Sequence, residues 1–343
     1  MKKIAILIPC LNEALTVGKV VRDFRAALPD AEVHVFDNGS TDATQEEARR
    51  AGAVVHFVAR RGKGNVVRTM FRHTDADIAV MVDGDDTYPA DRVQELIAPI
   101  LFQGADMVVG TRLVGHGAGS FRPLHLSGNK LVRWTSNLAF GARLGDMLSG
   151  YRAFSREFMK TMPVMSNGFE IETEISLHAL AHGFEIVEVS IPYGARPEGS
   201  HSKLNTLHDG YRVLKTIFRM FKDHRPLLFF GTIGALAISL GVIAGVAVVR
   251  EYLEYQRVVG AARAVLAVSA VLVGLLALTT GLVLDTVNRR SRELYILLAA
   301  LTTRAPQEHP SRDRSRIDPT RRAEGTRMAG IADGKPRPKH LRR

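Results

Sequence analysis

Two carboxylates one residue apart, Asp83 and Asp85, directly follow an apolar run that ends at Val82. If this run is a β-strand, alternate side chains point to the same face, so both carboxylates face the same way. Like charges held this close are unfavourable unless a cation lies between them, and carboxylate oxygens suit Mg²⁺ or Mn²⁺. The pair therefore predicts a divalent-metal site, with a solvated acidic turn as the alternative.

Three further polar or glycine-bearing loops follow apolar runs in the same way: 9–13, 37–42 and 60–64. In a parallel sheet, ligands bind beyond the carboxyl ends of the strands, where such loops converge. Each loop alone also fits a plain turn or a helix start. Four of them in the expected places indicate one ligand site, in which Arg60 and Lys63 would face the diphosphate of a metal-bound ligand.

A sheet is needed to position these loops, and residues 1 to about 200 have the pattern of one. The apolar β-rich runs are Ile4–Ile8, Val33–Phe36, Val54–Phe57, Ile78–Val82 and Met107–Val109. The segments of helical period are Ala14–Leu28, Ala43–Ala51, Gly64–His73 and Ala90–Gln103. This alternation predicts an α/β domain, residues 1–205, with a mostly parallel, Rossmann-like sheet covered on both faces.

Composition limits the compartment and the partners. The chain has 343 residues, a formal net charge of +11 and a single cysteine, Cys10, so no internal disulfide can form. A basic protein can bind nucleic acid or an anionic membrane, and the apolar segments favour the membrane, with no nucleic-acid partner. No signal peptide precedes Ile4–Ile8, so we expect the N-terminal domain in the cytoplasm.

Two uncharged runs, 227–249 and 264–284, are each long enough to cross a hydrocarbon core of about 30 Å. The alternative is a pair of buried helices in a soluble domain. Basic residues before the first run and after the second predict two transmembrane helices in the cell membrane. Both termini would then be cytoplasmic, with the loop 250–263 outside. We expect 285–301 to be a juxtamembrane segment and 302–343 a basic disordered tail.

The segment 206–226 is predicted to be an amphipathic helix lying on the membrane surface. One face carries Tyr211, Leu214, Ile217, Phe218 and Phe221, and another carries Arg212, Lys215, Arg219 and Lys222. The alternative is an ordinary amphipathic helix packed on the globular domain. Its position directly before a predicted span favours the membrane surface.

Several motifs together carry a family resemblance. They are Ile8-Pro-Cys-Leu-Asn-Glu13, Asp37-Asn-Gly-Ser-Thr-Asp-Ala-Thr44, Gly62-Lys-Gly64, Asp83-Gly-Asp85 and Asp146-Met-Leu-Ser-Gly-Tyr-Arg-Ala-Phe154. The first four resemble the inverting family-2 glycosyltransferases, which have the GT-A fold. The last is similar to the signature of the dolichyl- and polyprenyl-phosphate sugar synthases, of the dolichol-phosphate mannose synthase type. The resemblance extends over about residues 3 to 225.

The resemblance implies roles for single residues. The nucleotide-sugar pocket would be formed by Pro9, Leu11, Asn12, Glu13, Asp37, Asn38, Arg60, Lys63, Asp83, Gly84, Asp85, Arg196 and Lys203. Asp83 and Asp85 would hold the metal, with the third metal-side position, often Gln in relatives, at Thr87. Arg112 and Arg122 would meet the lipid phosphate, and the loop with Arg196 and Lys203 would close over both substrates. Asp146 could orient the acceptor-side arginines or cap the next element.

The implied reaction is the inverting transfer of a hexose or hexuronic acid from a UDP- or GDP-linked sugar to a polyprenyl phosphate. A lipid phosphate is already an anion, so it needs no general base, and the metal and basic residues neutralise the leaving diphosphate. Arg112 would hold the attacking phosphate in line. Two alternatives remain: a processive polysaccharide synthase, whose Gln-x-x-Arg-Trp element Lys130–Trp134 faintly resembles, and a non-enzymatic nucleotide-binding membrane scaffold. The motifs assign no role to Glu170 and Glu172.

Overall fold

A computed structural model describes residues 2–112, 134–137, 140–141, 144–199, 206–257 and 260–303. The first strands and helices alternate as predicted. They are β1 (Ile4–Cys10), α1 (Val17–Ala27), β2 (Glu32–Asp37), α2 (Thr44–Arg50), β3 (Val54–Phe57), α3 (Lys63–His73), β4 (Ile78–Met81), α4 (Val93–Phe102) and β5 (Met107–Thr111). Next come β6 (Arg152–Ser155), α5 (Arg156–Thr161), α6 (Ile171–His182) and β7 (Ile186–Ser190).

The described strands form one seven-stranded sheet in the order β3-β2-β1-β4-β6-β5-β7. β6 runs antiparallel to both of its neighbours, and the other pairs are parallel. Neighbouring β1 residues face opposite cores: Ile6 packs with Phe24 of α1, and Leu7 packs with Met70 of α3. Burial on both faces explains why the central strands are apolar throughout. The predicted mostly parallel α/β sheet is confirmed.

Strand β6 was missed by the sequence analysis because it begins with a buried arginine. The Arg152 guanidinium donates from Nε to the Ser149 carbonyl (2.8 Å), from Nη2 to the Met147 carbonyl (2.7 Å) and from Nη1 to Ser176 Oγ (2.9 Å). Hydrogen bonds of this kind offset the cost of burying a cation. They also fix the loop that leads into β6 from the interior.

Helix α7 (Thr206–His224) has an apolar face that packs on the globular domain. Its Val213, Ile217 and Met220 side chains are buried in a cluster with Leu177 of α6 and Phe140. The alternative of a helix packed on the domain therefore holds for this face.

The predicted lipid-facing set of five α7 side chains is corrected accordingly. Ile217 lies in the core, and Leu214 and Phe221 are partly buried against the same cluster. Tyr211 and Phe218 are 64% and 59% exposed, so they remain available to a membrane surface. The prediction went too far because one helical projection shows which residues share a face but not what that face meets.

The two C-terminal helices, α8 (Pro226–Tyr255) and α9 (Ala261–Thr303), contain the two uncharged runs. Both are long and apolar enough to cross a membrane, and only 11% and 17% of their most apolar windows are buried. Core helices of a soluble domain would be mostly buried, so exposure favours contact with lipid. The predicted juxtamembrane segment 285–301 is not separate, because α9 continues through it without a break.

Glycines let α8 and α9 pack closely. A Cβ on Gly234 would collide with the Gly274 carbonyl, and a Cβ on Gly274 would collide with the Gly234 carbonyl. Gly241 approaches the Ala267 carbonyl in the same way. Small residues at such contacts are typical of packed membrane helices, where backbone approach replaces the hydrophobic effect.

Beyond its uncharged run, α9 contacts the globular domain. Tyr295 Oη donates to the Thr161 carbonyl (3.2 Å), and Arg292 Nη2 donates to the His224 carbonyl (3.3 Å). The Asn288 amide donates to the Asp223 carbonyl. The last part of α9 is therefore bound to both α5 and the end of α7.

We predict that Ile217→Ala destabilises the protein by about 2–5 kcal/mol, because it opens a cavity between α7 and α6. The matched change on the exposed face, Phe218→Ala, should alter stability by about 0.5 kcal/mol or less. Unfolding of the full chain in detergent micelles measures both. Equal losses for the two variants would place the two side chains in the same environment and contradict the buried face.

Candidate active site

The loops after β1 and β2 are tied to each other at the carboxyl edge of the sheet. The Asn12 side chain accepts a hydrogen bond from the Thr41 amide (2.8 Å), and the Glu13 amide donates to Thr44 Oγ1 (2.8 Å). Asn12 adopts a left-handed conformation (φ 53°), which asparagine tolerates better than most residues. Pro9 and Leu11, directly before these contacts, are half-buried at this edge.

Asp37 and Asn38 point into the framework of this edge. The buried Asp37 carboxylate accepts from the Gly39 and Ser40 amides (both 3.2 Å) and from Gln45 Nε2 (2.7 Å). The Asn38 amide donates to the Val58 and Arg60 carbonyls. These two side chains hold the loops in shape, and their predicted contact with a nucleoside stays a prediction. The Arg60 side chain itself is exposed.

The acidic loop after β4 lies against the β1 loop. Gly84 is buried there, because a Cβ at this position would collide with Cys10 Sγ. Its carbonyl accepts a hydrogen bond from Thr16 Oγ1 (2.7 Å). The absence of a side chain at Gly84 thus lets the loop that carries Asp83 and Asp85 approach the end of β1.

Asp85 is buried and has two polar partners. Arg196 Nη2 lies 2.5 Å from Asp85 Oδ2, and Thr87 Oγ1 donates to Asp85 Oδ1 (2.6 Å). Burial raises the pKa of Asp85, and the nearby Asp83 charge raises it further, against the opposing effects of Thr87, Arg196 and Lys63. The structure therefore gives Thr87 the role of orienting Asp85, and brings Arg196 to the acidic loop as the resemblance implied.

Lys63 does not extend freely towards a ligand. Its Nζ lies 2.6 Å from Asp83 Oδ1 and 2.6 Å from Glu172 Oε1, with little of the side chain exposed. Burial lowers the pKa of Lys63, but the two carboxylates outweigh burial and raise it above its ordinary value. The lysine is therefore a charged bridge between the acidic loop and α6. The prediction that it faces the diphosphate is corrected, because both carboxylates already hold it.

Arg112 and Asp146 form a two-pronged ion pair on the other side of the site. Arg112 Nε donates to Asp146 Oδ2 (2.7 Å) and Nη2 donates to Oδ1 (2.9 Å). Burial raises the pKa of Asp146, but the Arg112 charge and hydrogen bonds bring it below its usual range. Of the two interpretations of Asp146, the contacts favour orientation of an arginine. Glu188 in turn accepts from the Gly145 and Asp146 amides (2.8 and 3.2 Å).

Two tyrosines connect the halves of the site. The Tyr88 and Tyr193 rings are 5.2 Å apart, and the Arg112 guanidinium lies 5.5 Å from the centre of the Tyr193 ring. Tyr88 Oη accepts from the Gly150 amide (3.1 Å), and a Cβ on Gly150 would collide with Asp83 Oδ2. The acidic loop and the buried arginine therefore lie on either side of one aromatic pair.

Asp83 and Asp85 are the residues that could hold a divalent cation. The raised pKa of Asp85 beside Asp83 reflects the like-charge repulsion that a cation relieves. In the described ranges no three His, Cys, Asp or Glu side chains already converge as a complete ligand set. Two carboxylates, with remaining positions for water and substrate phosphate, are the donor set that Mg²⁺ or Mn²⁺ accepts. The residues present thus fit such an ion.

Two predicted residues, Arg122 and Lys203, lie outside the described residues. Their roles stay predictions. Conversely, sequence analysis assigned no role to Glu172, Tyr88 or Arg152. Glu172 belonged to an acidic pair that could have been examined further, since a carboxylate inside an apolar helical segment needs a partner. The partner, Lys63, is distant in sequence and could not be identified from spacing.

Comparison with known proteins agrees with this geometry. The family described as Glycosyl transferase family 2 matches residues 5–162. Glycosyltransferase AglJ of Haloferax volcanii is 35% identical over 84% of this chain and 95% of that protein. A dolichyl-phosphate hexose transferase of the same organism is 30% identical over 65% of this chain and 95% of that protein.

A solved structure is also similar. Glucosyl-3-phosphoglycerate synthase from Mycobacterium tuberculosis, crystallised with Mn²⁺, UDP-glucose and phosphoglyceric acid, is 26% identical, with a TM-score of 0.51 over 64% of this chain and 80% of that chain. The GT-A sheet with an acidic loop at its carboxyl edge defines a glycosyltransferase as the class of protein. The chain belongs to glycosyl transferase family 2 and is an enzyme of the hexosyltransferase kind.

We predict that Arg112→Met lowers the unfolding free energy by about 3–5 kcal/mol at about pH 7, because it leaves Asp146 buried without its cation. In the wild type the folded-state pKa of Asp146 is lowered. Its stabilising contribution is therefore present above the unfolded pKa and lost only as pH falls through the folded value. In the variant, burial should raise this pKa instead, so the carboxyl can become neutral as the pH falls.

The loss in Arg112→Met should therefore be smaller at about pH 5 than at about pH 7. Denaturant unfolding of both proteins at the two pH values measures this difference. A loss that is independent of pH would show that the Asp146 charge is not what destabilises the variant.

Proposed function

We propose that the enzyme transfers a hexose from a nucleoside-diphosphate sugar to a polyprenyl phosphate at the cytoplasmic membrane face, with inversion at the anomeric carbon. The observation that carries the proposal is the buried Arg112, held by Asp146 across an aromatic pair from the acidic loop. This arrangement offers one anion site on each side of a reacting carbon. The name of the dolichyl-phosphate hexose transferase relative supports a lipid phosphate as the acceptor.

The donor belongs on the acidic side of the tyrosines. Asp83 and Asp85 would hold a divalent cation, which when bound neutralises charge on a departing nucleoside diphosphate. Arg196, now on Asp85, is a flexible cation within reach of the same phosphates. The Mn²⁺ and UDP-glucose bound by the glucosyl-3-phosphoglycerate synthase support this use of the acidic loop.

The acceptor belongs on the arginine side. Asp146 holds the Arg112 guanidinium through two parallel hydrogen bonds, so its orientation is fixed before a ligand arrives. A phosphate monoester is ionised at neutral pH and can attack the anomeric carbon without a base. Attack from the face opposite the departing diphosphate gives inversion.

The membrane helices supply the reason for a lipid acceptor. α8 and α9 are exposed apolar helices, and α9 is bound to the catalytic domain at Tyr295 and Arg292. Basic residues before α8 and in α9 after the uncharged run favour a cytoplasmic catalytic domain by the positive-inside bias. Exposed Tyr211 and Phe218 on α7 add aromatic contact at the same surface.

We expect Asp85→Asn to lower the rate of transfer at least about 100-fold, since a charge that stabilises the leaving group is lost. The assay uses purified full-length protein, a polyprenyl phosphate, Mg²⁺ or Mn²⁺ and a panel of UDP- and GDP-linked hexoses. Excess EDTA should stop the wild type as well. Wild-type turnover in the variant would remove the acidic loop from the donor site.

We expect Arg112→Lys, which keeps the charge but loses the paired hydrogen bonds, to raise the acceptor KM and lower kcat. Donor affinity, measured as nucleoside-diphosphate binding, should remain within about twofold of wild type. A matched loss of donor affinity would place Arg112 on the donor side and contradict the division of the site.

A further inference from the structure

The cleft holds more negative charge than the two residues of the acidic loop supply. Glu172 on α6 is buried, and its Oε1 lies 2.6 Å from Lys63 Nζ. The same Nζ is equally close to Asp83 Oδ1. Lys63 therefore shares its single positive charge between two carboxylates, one of which belongs to the metal-binding pair.

The backbone keeps this lysine in place. Lys63 begins α3 between Gly62 and Gly64, and a Cβ on either glycine would collide with the backbone of Asn167 or Ser166. A cation at a helix N-terminus meets the positive end of the helix dipole, which is unfavourable. Glu172, in the first turn of α6, is an anion at the favourable end of its own helix.

We propose that Glu172 is a positioning residue that binds the charge of Lys63 so that Asp83 remains available to a divalent cation. The inference rests on the proposed function, since it concerns the same acidic loop. With Glu172 charged, the three carboxylates outnumber Lys63 and Arg196, and the cleft attracts a cation. Without that charge, Lys63 would neutralise Asp83 alone and compete with the incoming ion.

A purely structural role for Glu172 would involve a different partner. Its charge also acts on the buried Arg152, whose pKa burial lowers and Glu172 raises. The same helix offers a matched control in Glu174, which is equally buried. Glu174 accepts from the Met165 and Ser166 amides (2.6 and 2.7 Å), and no described contact joins it to Lys63.

The test measures Mn²⁺ binding directly. Full-length protein in detergent micelles is titrated with Mn²⁺ in the presence of UDP or GDP, and the electron paramagnetic resonance signal of the free ion gives the dissociation constant. Glu172→Gln should weaken Mn²⁺ binding about tenfold, equivalent to 1.4 kcal/mol. Glu172→Asp, which keeps the charge, should recover part of this loss. Glu174→Gln can lower stability but should leave the Mn²⁺ dissociation constant within about twofold of wild type.

A second substitution tests the route through Lys63. Adding Lys63→Met to Glu172→Gln removes the competing cation, so Mn²⁺ affinity should return to within about twofold of wild type. Failure of this rescue would show that Glu172 acts through Arg152 or the fold, and would overturn the proposal. An unchanged constant in Glu172→Gln would overturn it too.

The wild-type titration separates the two levels of inference. A wild type that binds no Mn²⁺ with nucleotide present would contradict the metal in the proposed function and this inference together. A wild type that binds Mn²⁺, combined with no effect of Glu172→Gln, overturns only the role of Glu172.

Discussion

A carboxylate removed from water costs on the order of several kcal/mol unless an opposite charge or several hydrogen-bond donors meet it. This requirement sets the arrangement of the cleft. Asp146 meets Arg112, Asp85 meets Arg196 and Thr87, and Asp83 shares Lys63 with Glu172. Each pair joins residues from separate elements, so the electrostatic solution also holds the loops together. Hydrogen bonds and ion pairs of the site are in this way part of the fold.

The antiparallel strand β6 is what makes these pairings possible. By inserting between β4 and β5, it brings the loop with Asp146 and Gly150 to the edge where Asp83 emerges. Buried Arg152 secures that loop from below through the Met147 and Ser149 carbonyls. A sheet made only of parallel strands would leave the arginine side without its carboxylate.

Local patterns predicted much of this structure. The runs that became β1 to β5 were found because parallel strands buried on both faces are continuously apolar, and the motif loops fell at their ends. Strand β6 could not be found this way, because Arg152 at its start reads as polar although it is buried. Its neutralisation depends on carbonyls that only the fold brings close.

The same limit applies to the site. Asp83, Asp85, Arg112 and Asp146 were identified from short spacings and resemblance, and the structure brings them to one edge. The partner of Lys63 was not, since Glu172 lies more than a hundred residues away in the chain. Helix α7 was misread for a related reason: its pattern cannot tell a face buried on α6 from one that meets lipid.

Helix α9 has a consequence for how deep the enzyme can reach. From Leu284, where the uncharged run ends, to Tyr295, where the helix grips α5, the rise is about 16 Å at 1.5 Å per residue. A continuous helix is stiff, so this distance works as a fixed spacer between the hydrocarbon edge and the catalytic domain. The headgroup, and not the domain, must supply whatever movement brings a phosphate up to the arginine. Shortening or lengthening this stretch by one turn would shift the domain by about 5.4 Å and rotate it little, leaving the chemistry intact but out of register with its lipid.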